Sequence, residues 1–190
     1  MNVKNRTTAW IASALTLGVV AVGCATDTTD DAALEAVRTT RCPDAPPAFK
    51  ASDGSDHGSL EPLAANRLLL CGYPPPNLNT RGMTSRQALV TDKSVLDRLR
   101  ASLNRLGEPP SGPVNCPADK KAKVLEIFSD GHHAVELVAK LTGCQEVTNG
   151  HRDGWVGNSD ANTIVMGLLS PGFCRGVWRA TDCGQGAAAP

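Results

Sequence analysis

Aromatic residues make up only 4% of the 190-residue chain, so it has no stacking platform of the kind that bases or sugars require. Charge of one sign is also missing. Lys and Arg number 19 against 19 Asp and Glu, which excludes the basic footprint of a nucleic-acid binder. Past Val22 no apolar run approaches the ~20 residues a spanning helix needs. No Cys-x-x-Cys pair offers zinc spacing, and no His-Glu-x-x-His, Gly-x-Ser-x-Gly or Ser-x-x-Lys motif occurs. The sequence therefore implies no catalytic constellation, no metal and no cofactor.

The first 24 residues carry an address. Lys4 and Arg6 form a basic start, and Ala9 to Val22 is an uncharged, mostly apolar run of 14 residues. That length fits a signal-peptide core. Val22-Gly23 before Cys24 resembles a bacterial lipobox, whose cysteine is lipidated on its thiol and becomes the first mature residue. Two or three acyl chains there, palmitate among them, anchor firmly where one does not. Ala21 stands where that pattern prefers Leu, and ordinary cleavage after Ala25 would secrete the protein instead. Removing residues 1–23 leaves 167, enough for one domain with a core. The mature balance becomes 17 basic against 19 acidic residues.

Seven cysteines become six once Cys24 is assigned to lipid. Cys42, Cys71, Cys116, Cys144, Cys174 and Cys183 are even in number outside the cytoplasm and read as three disulfides. Residues 24–40 are rich in Thr, Asp and Ala and read as a flexible tether, residues 41–184 as a single domain, and residues 185–190 as a disordered tail.

Within that domain, Arg41 to Pro62 reads as irregular, Asn66 to Tyr73 as a buried strand, and Thr84 to Val90 as a second. Leu96, Leu99, Leu103 and Leu106 recur at helical spacing. Thr91 or Asp92 caps that helix, and Gly107 with Pro109-Pro110 ends it. Asp130-Gly131 reads as a two-residue hairpin turn, pairing Ser129 with His132, Phe128 with His133, Glu126 with Val135 and Val124 with Leu137. Val124, Phe128, Val135, Leu137, Ala139 and Leu141 then share the face that receives the helix. Leu125, Ile127 and Val138 fall on the other. The same register brings Cys116 near Cys144; the pairing of the other four stays open, with Cys174–Cys183 closing a short C-terminal loop and Cys42–Cys71 pinning the irregular segment to the first strand as the preferred arrangement. Gln145 to Thr148 and His151 to Val156 flank a similar turn at Asn149-Gly150. Ser159 reads as the cap of a short helix from Ala161 to Leu169, ended by Pro171-Gly172, with a strand through the β-branched pair Ile164-Val165 as the alternative. The expected fold is α+β: an antiparallel sheet of four or five strands, one main amphipathic helix on it, and disulfides holding both.

Candidate chemistry is thin. His132 and His133 point to opposite faces of a strand, which disfavours a metal site with Glu136 and makes His133 a structural partner for Glu126. The segment from Asp53 to His57 and Gly58 echoes a calcium loop, but Ala64 stands where the bidentate Glu belongs. Trp155 and Trp178 read first as packing residues. An enzyme would need a cleft gathering His57, His151, Asp153 or Glu126.

Leu70-Cys71-Gly72-Tyr73, Asn115-Cys116-Pro117, Phe128-Ser129-Asp130-Gly131 and Gly143-Cys144 through Asn149-Gly150 resemble, in that order, a group of secreted actinobacterial lipoproteins. The likeness covers roughly Arg41 to Gly150 and implies an envelope address without an activity. A second likeness is to the subtilisin-inhibitor family, where a Cys-Pro follows a helix and precedes an Asp-Gly hairpin. It implies a protease-binding loop from Pro117 through Ala118, Asp119 and Lys120 to Lys121. The reading is a non-catalytic, lipid-anchored protein on the outer face of the cytoplasmic membrane, with an envelope protein as partner. The alternative is a secreted serine-protease inhibitor.

Overall fold

In the computed structural model, residues 28–49, 58–77 and 86–177 are described. The leader, Cys24, residues 53–57, Trp178, Cys183 and the C-terminal tail lie outside them. The elements run α1 (Thr28–Thr39), β1 (Arg67–Tyr73), β2 (Gln87–Val90), α2 (Lys93–Asn104), β3 (Lys123–Ser129), β4 (Ala134–Lys140), β5 (Glu146–Thr148), β6 (Asp153–Trp155), α3 (Asp160–Leu168) and α4 (Pro171–Val177). One antiparallel sheet has the order β2-β1-β3-β4-β5-β6. The α+β class follows the sequence reading. The sheet has six strands because both short segments around Asn149-Gly150 pair.

The expected face receives α2. Leu96, Leu99 and Leu103 are buried against Leu68, Leu70, Val124, Phe128, Leu137 and Ala139, with α3 and α4 completing that core. Asp92 is the helix cap: its Oδ1 accepts from the Ser94 hydroxyl at 2.7 Å and from the backbone N–H groups of Val95 at 3.3 Å and Ser94 at 2.8 Å. These bonds, the hydroxyl's first, hold its carboxyl below the usual range. Ser159 caps α3, accepting from the Asn162 N–H at 3.3 Å. Pro171 does not merely end α3; it occupies the first position of α4, where its missing N–H costs nothing.

One correction concerns the other face. Residues 28–39, expected within a flexible tether, are the helix α1. Ala33, Leu34, Ala36 and Val37 are buried against Leu69, Cys71, Leu125, Ile127, Ala134 and Val138. Apolar side chains on both sheet faces need cover on both, and α1 supplies the second layer. The sheet is therefore sandwiched between helices.

A second correction is the β3–β4 register. Phe128 faces Val135, Ser129 faces Ala134, and Val124 faces Ala139, two residues beyond the expected pairing. The cause is Asp130. Its Oδ1 accepts from the N–H groups of His132 and His133 at 2.7 and 2.8 Å, so four residues close the turn. Gly131 there has φ +98°, which glycine adopts freely. Asn149 does the same for His151 and Arg152, at 2.9 and 2.8 Å. A shift of two preserves the faces, so the core composition survives. His133 does not: it sits exposed in the turn, its Nδ1 3.3 Å from Asp130 Oδ2, and Glu126 faces Leu70 and Leu137 instead.

Cys42–Cys71 and Cys116–Cys144 are bridged, with Cα separations of 5.6 and 5.1 Å. Cys174 is also disulfide-bonded, while Cys183, its expected partner, lies outside the described residues. On β1, Gly72 lets Phe173 of α4 approach: a Cβ there would lie 2.6 Å from the Phe173 ring. Gly72→Ala should therefore cost about 1–3 kcal/mol in urea unfolding. Phe173→Leu in the same chain should recover part of that loss, and purely additive effects would refute the contact.

Candidate functional site

The chain from Val114 to Lys121 leaves α2's loop, meets Cys144 through Cys116, and enters β3 at Lys123. It is exposed except for half-buried Cys116. Asp119 fixes its course. Asp119 Oδ1 accepts from the Lys121 N–H at 2.7 Å and from Thr142 Oγ1 at 2.9 Å. The Lys120 N–H donates to Thr142 Oγ1 at 3.0 Å. The Lys121 N–H bond, ahead of the Thr142 hydroxyl, holds the Asp119 carboxyl below its ordinary range. Gly143, at φ +75°, lies close under Asp119; a Cβ would sit 2.9 Å from that residue's Cβ.

Beside this segment lies a cleft of about 830 Å³. One wall is Asn115, Pro117, Ala118 and Lys120; the other comes from Gln145, Trp155, Asn158 and Arg175. Trp155 is half-buried, and its indole lies over Gly157, where a Cβ would meet Nε1 at 3.0 Å. Among the described residues the lining presents two cations, three amide side chains and one indole. Such groups can orient a ligand by hydrogen bonds, charge and aromatic contact.

The structure thus brings Pro117, Ala118, Lys120 and Trp155 together. Gln145, Asn158 and Arg175 complete the cleft and were not singled out in the sequence. Their signal was only proximity in the chain to Cys144, to the Ser159 cap and to Cys174. Asp119 turns toward Thr142 and serves the wall rather than the cleft.

Of the residues an enzyme would gather, His57 lies outside the described residues, while Glu126, His151 and Asp153 sit in three different places. His151 shares a groove of about 630 Å³ on the α1 side with Asp30, His133 and Glu136. Asp153 lines a separate recess beside Phe49. Burial, then the nearby Asp30 carboxylate, raises the Glu136 pKa. Among the described residues no group of three or more His, Cys, Asp or Glu has the arrangement to hold a metal ion.

Two carboxyls sit in the α2-side interior. Glu61 and Glu126 are 0% and 1% exposed, and the Oε2 of each lacks a hydrogen-bond partner. Burial drives both pKa values up to about 8. For Glu61, the Leu63 N–H opposes that rise and the neighbouring Glu126 adds to it. Asn104 locks the Glu61 backbone, accepting from its N–H at 2.8 Å and donating to its carbonyl at 2.7 Å. Neither carboxyl reaches solvent, so their chemistry is that of the core. Comparison of the chain with protein-family models, curated proteins and solved structures finds no match.

Proposed function

We propose that this is a non-catalytic, lipid-anchored protein of the cell envelope that binds a partner through the cleft beside Cys116–Cys144. The observation that carries the binding reading is the cleft lining, which among the described residues offers Lys120, Arg175, three amides and Trp155. The anchoring reading rests on Lys4, Arg6, the apolar run to Val22 and Cys24. Two disulfides in the described domain support an oxidising compartment. Among the described residues no helix is long and apolar enough to cross a membrane, which is consistent with attachment through lipid.

Cell fractionation tests the anchor. The full chain is expected in the membrane pellet, and Cys24→Ser should release it to the medium or leave it unprocessed. Normal processing with unchanged retention would overturn lipidation. The cleft is tested by pull-down from envelope extract with the full chain: Trp155→Ala with Arg175→Glu should abolish capture that Arg98→Glu, on exposed α2 surface, leaves intact.

A specific observation also favours the second reading, a serine-protease inhibitor. Ala118 is exposed between the Cys116–Cys144 bridge and the Asp119–Thr142 hydrogen bond, so an extended loop would be ordered before binding. Sub-micromolar inhibition of a subtilisin-like or trypsin-like protease, altered by Ala118 or Lys120 substitution, is the expected result of that reading. No inhibition across a serine-protease panel at about ten micromolar removes it.

A further inference from the structure

The sheet has two unlike ends. At one end the four-residue turns Asp130–His133 and Asn149–Arg152 close their hairpins. The N-terminal turn of α1 lies there too, since Asp30 shares a groove with His133, Asn149 and His151. At the other end, β3 begins at Lys123 and β4 finishes at Lys140. Beyond them stand the Cys116–Cys144 bridge, the Pro117 to Lys121 segment and the cleft. The C-terminus of α1 also points to this second end: Cys42 is tied to Cys71, and Tyr73 Oη donates to the Pro43 carbonyl at 2.9 Å.

This polarity matters because α1 is packed rather than loose. Only Ala25, Thr26 and Asp27 separate Cys24 from Thr28. Four peptide steps span at most ~14 Å. A lipid on Cys24 would therefore hold the N-terminus of α1 within that distance of the headgroups. Seven-residue strands such as β3 are roughly 20–24 Å long, so a short leash at one end leaves the other end remote. The surface at the near end suits a wet, charged headgroup layer. His132, His133 and His151 are exposed on the turns, Asp31 is exposed on α1, and Arg67 is exposed at the start of β1.

We propose that the Asp130–His133 and Asn149–Arg152 turns face the lipid headgroup layer and that the Cys116–Cys144 cleft points away from the membrane, into the envelope. This inference rests on lipidation at Cys24. It turns the α1 helix into a short, rigid mount, and it places the proposed binding cleft where an envelope partner can reach it.

The test uses the protein as cells process it, added to phosphatidylcholine–phosphatidylglycerol vesicles that carry an energy acceptor on the headgroups. A donor dye is installed through a non-natural residue at exposed His132 or, separately, at exposed Ala118; the native cysteines stay untouched. Transfer from position 132 should exceed that from 118 several-fold, consistent with a separation of roughly one strand length. Equal transfer, or greater transfer from 118, with the chain still on the vesicles overturns the orientation while leaving the anchor standing. A chain carrying Cys24 that stays in the supernatant overturns the anchor and the orientation together.

Discussion

Thermal stability should fall as the pH is raised from 5 to 8.5, and Glu126→Met should remove about half of that fall. Glu61 and Glu126 have folded pKa values near 8 against an ordinary value of 4.5. Below about pH 4.5 folded and unfolded chains both hold the protons, and nothing is lost. Between 4.5 and 8 only the folded chain holds them, so each rise in pH favours unfolding; above 8 the loss is complete. The full effect is on the order of 3–5 kcal/mol per carboxyl. For a domain of this size that corresponds to a shift in Tm on the order of 10 °C. Glu136, also raised, acts in the same direction. Asp92, Asp119 and Asp130 are lowered, so their contributions are lost only on acidification below this window. Tyr73, pushed up to about 12 chiefly by burial, titrates above it. Calorimetric scans at pH 5, 7 and 8.5 on the full chain and on Glu126→Met measure the effect. A Tm that is flat or rises with pH would mean that both carboxyls are ionised or solvated at neutrality.

Val37→Asp should cost more than 3 kcal/mol or undock α1, whereas Arg38→Asp should change little. Val37 is 3% exposed, inside the layer formed with Leu69, Leu125, Ile127 and Val138. A carboxylate placed there has no partner and must lose its hydration. Arg38 is exposed on the same helix, where a charge change falls within about 0.5 kcal/mol. Urea unfolding of both variants, with hydrogen exchange on residues 28–39, reads the difference. If residues 24–40 were a tether, both substitutions would be silent and the amides would exchange freely. The outcome bears on function, because a detached α1 would lengthen the leash between Cys24 and the cleft.

Large side chains at regular spacing made α2 legible: Leu96, Leu99, Leu103 and Leu106 define one stripe, with Asp92 before it. The β3–β4 hairpin and its core face were legible for the same reason. α1 was not, because only Leu34 and Val37 are large; Ala33 and Ala36 complete a stripe that composition alone reads as linker. Two signals pointed to it. Asp30 and Asp31 sit in its first turn with Arg38 in its last, matching the helix dipole. Leu125, Ile127 and Val138 also needed cover on the face opposite α2. The register error came from reading Asp130-Gly131 through backbone preference alone, when the Asp130 side chain satisfies two turn amides. The cleft was half legible. Cys116 and Cys144 marked its end of the molecule, but Gln145, Trp155, Asn158 and Arg175 come from three separate segments that only tertiary packing brings together.

Site-specific photo-crosslinking in cells expressing the full chain tests the proposal that the protein works in the envelope by binding at the Cys116–Cys144 cleft. A photoreactive residue at Asn158, exposed on the cleft wall, should yield a discrete adduct that disappears with Arg175→Glu. The same residue at Arg98, exposed on α2, should yield none. Adducts of equal strength from both positions, or none from position 158 while position 98 reacts, would contradict it.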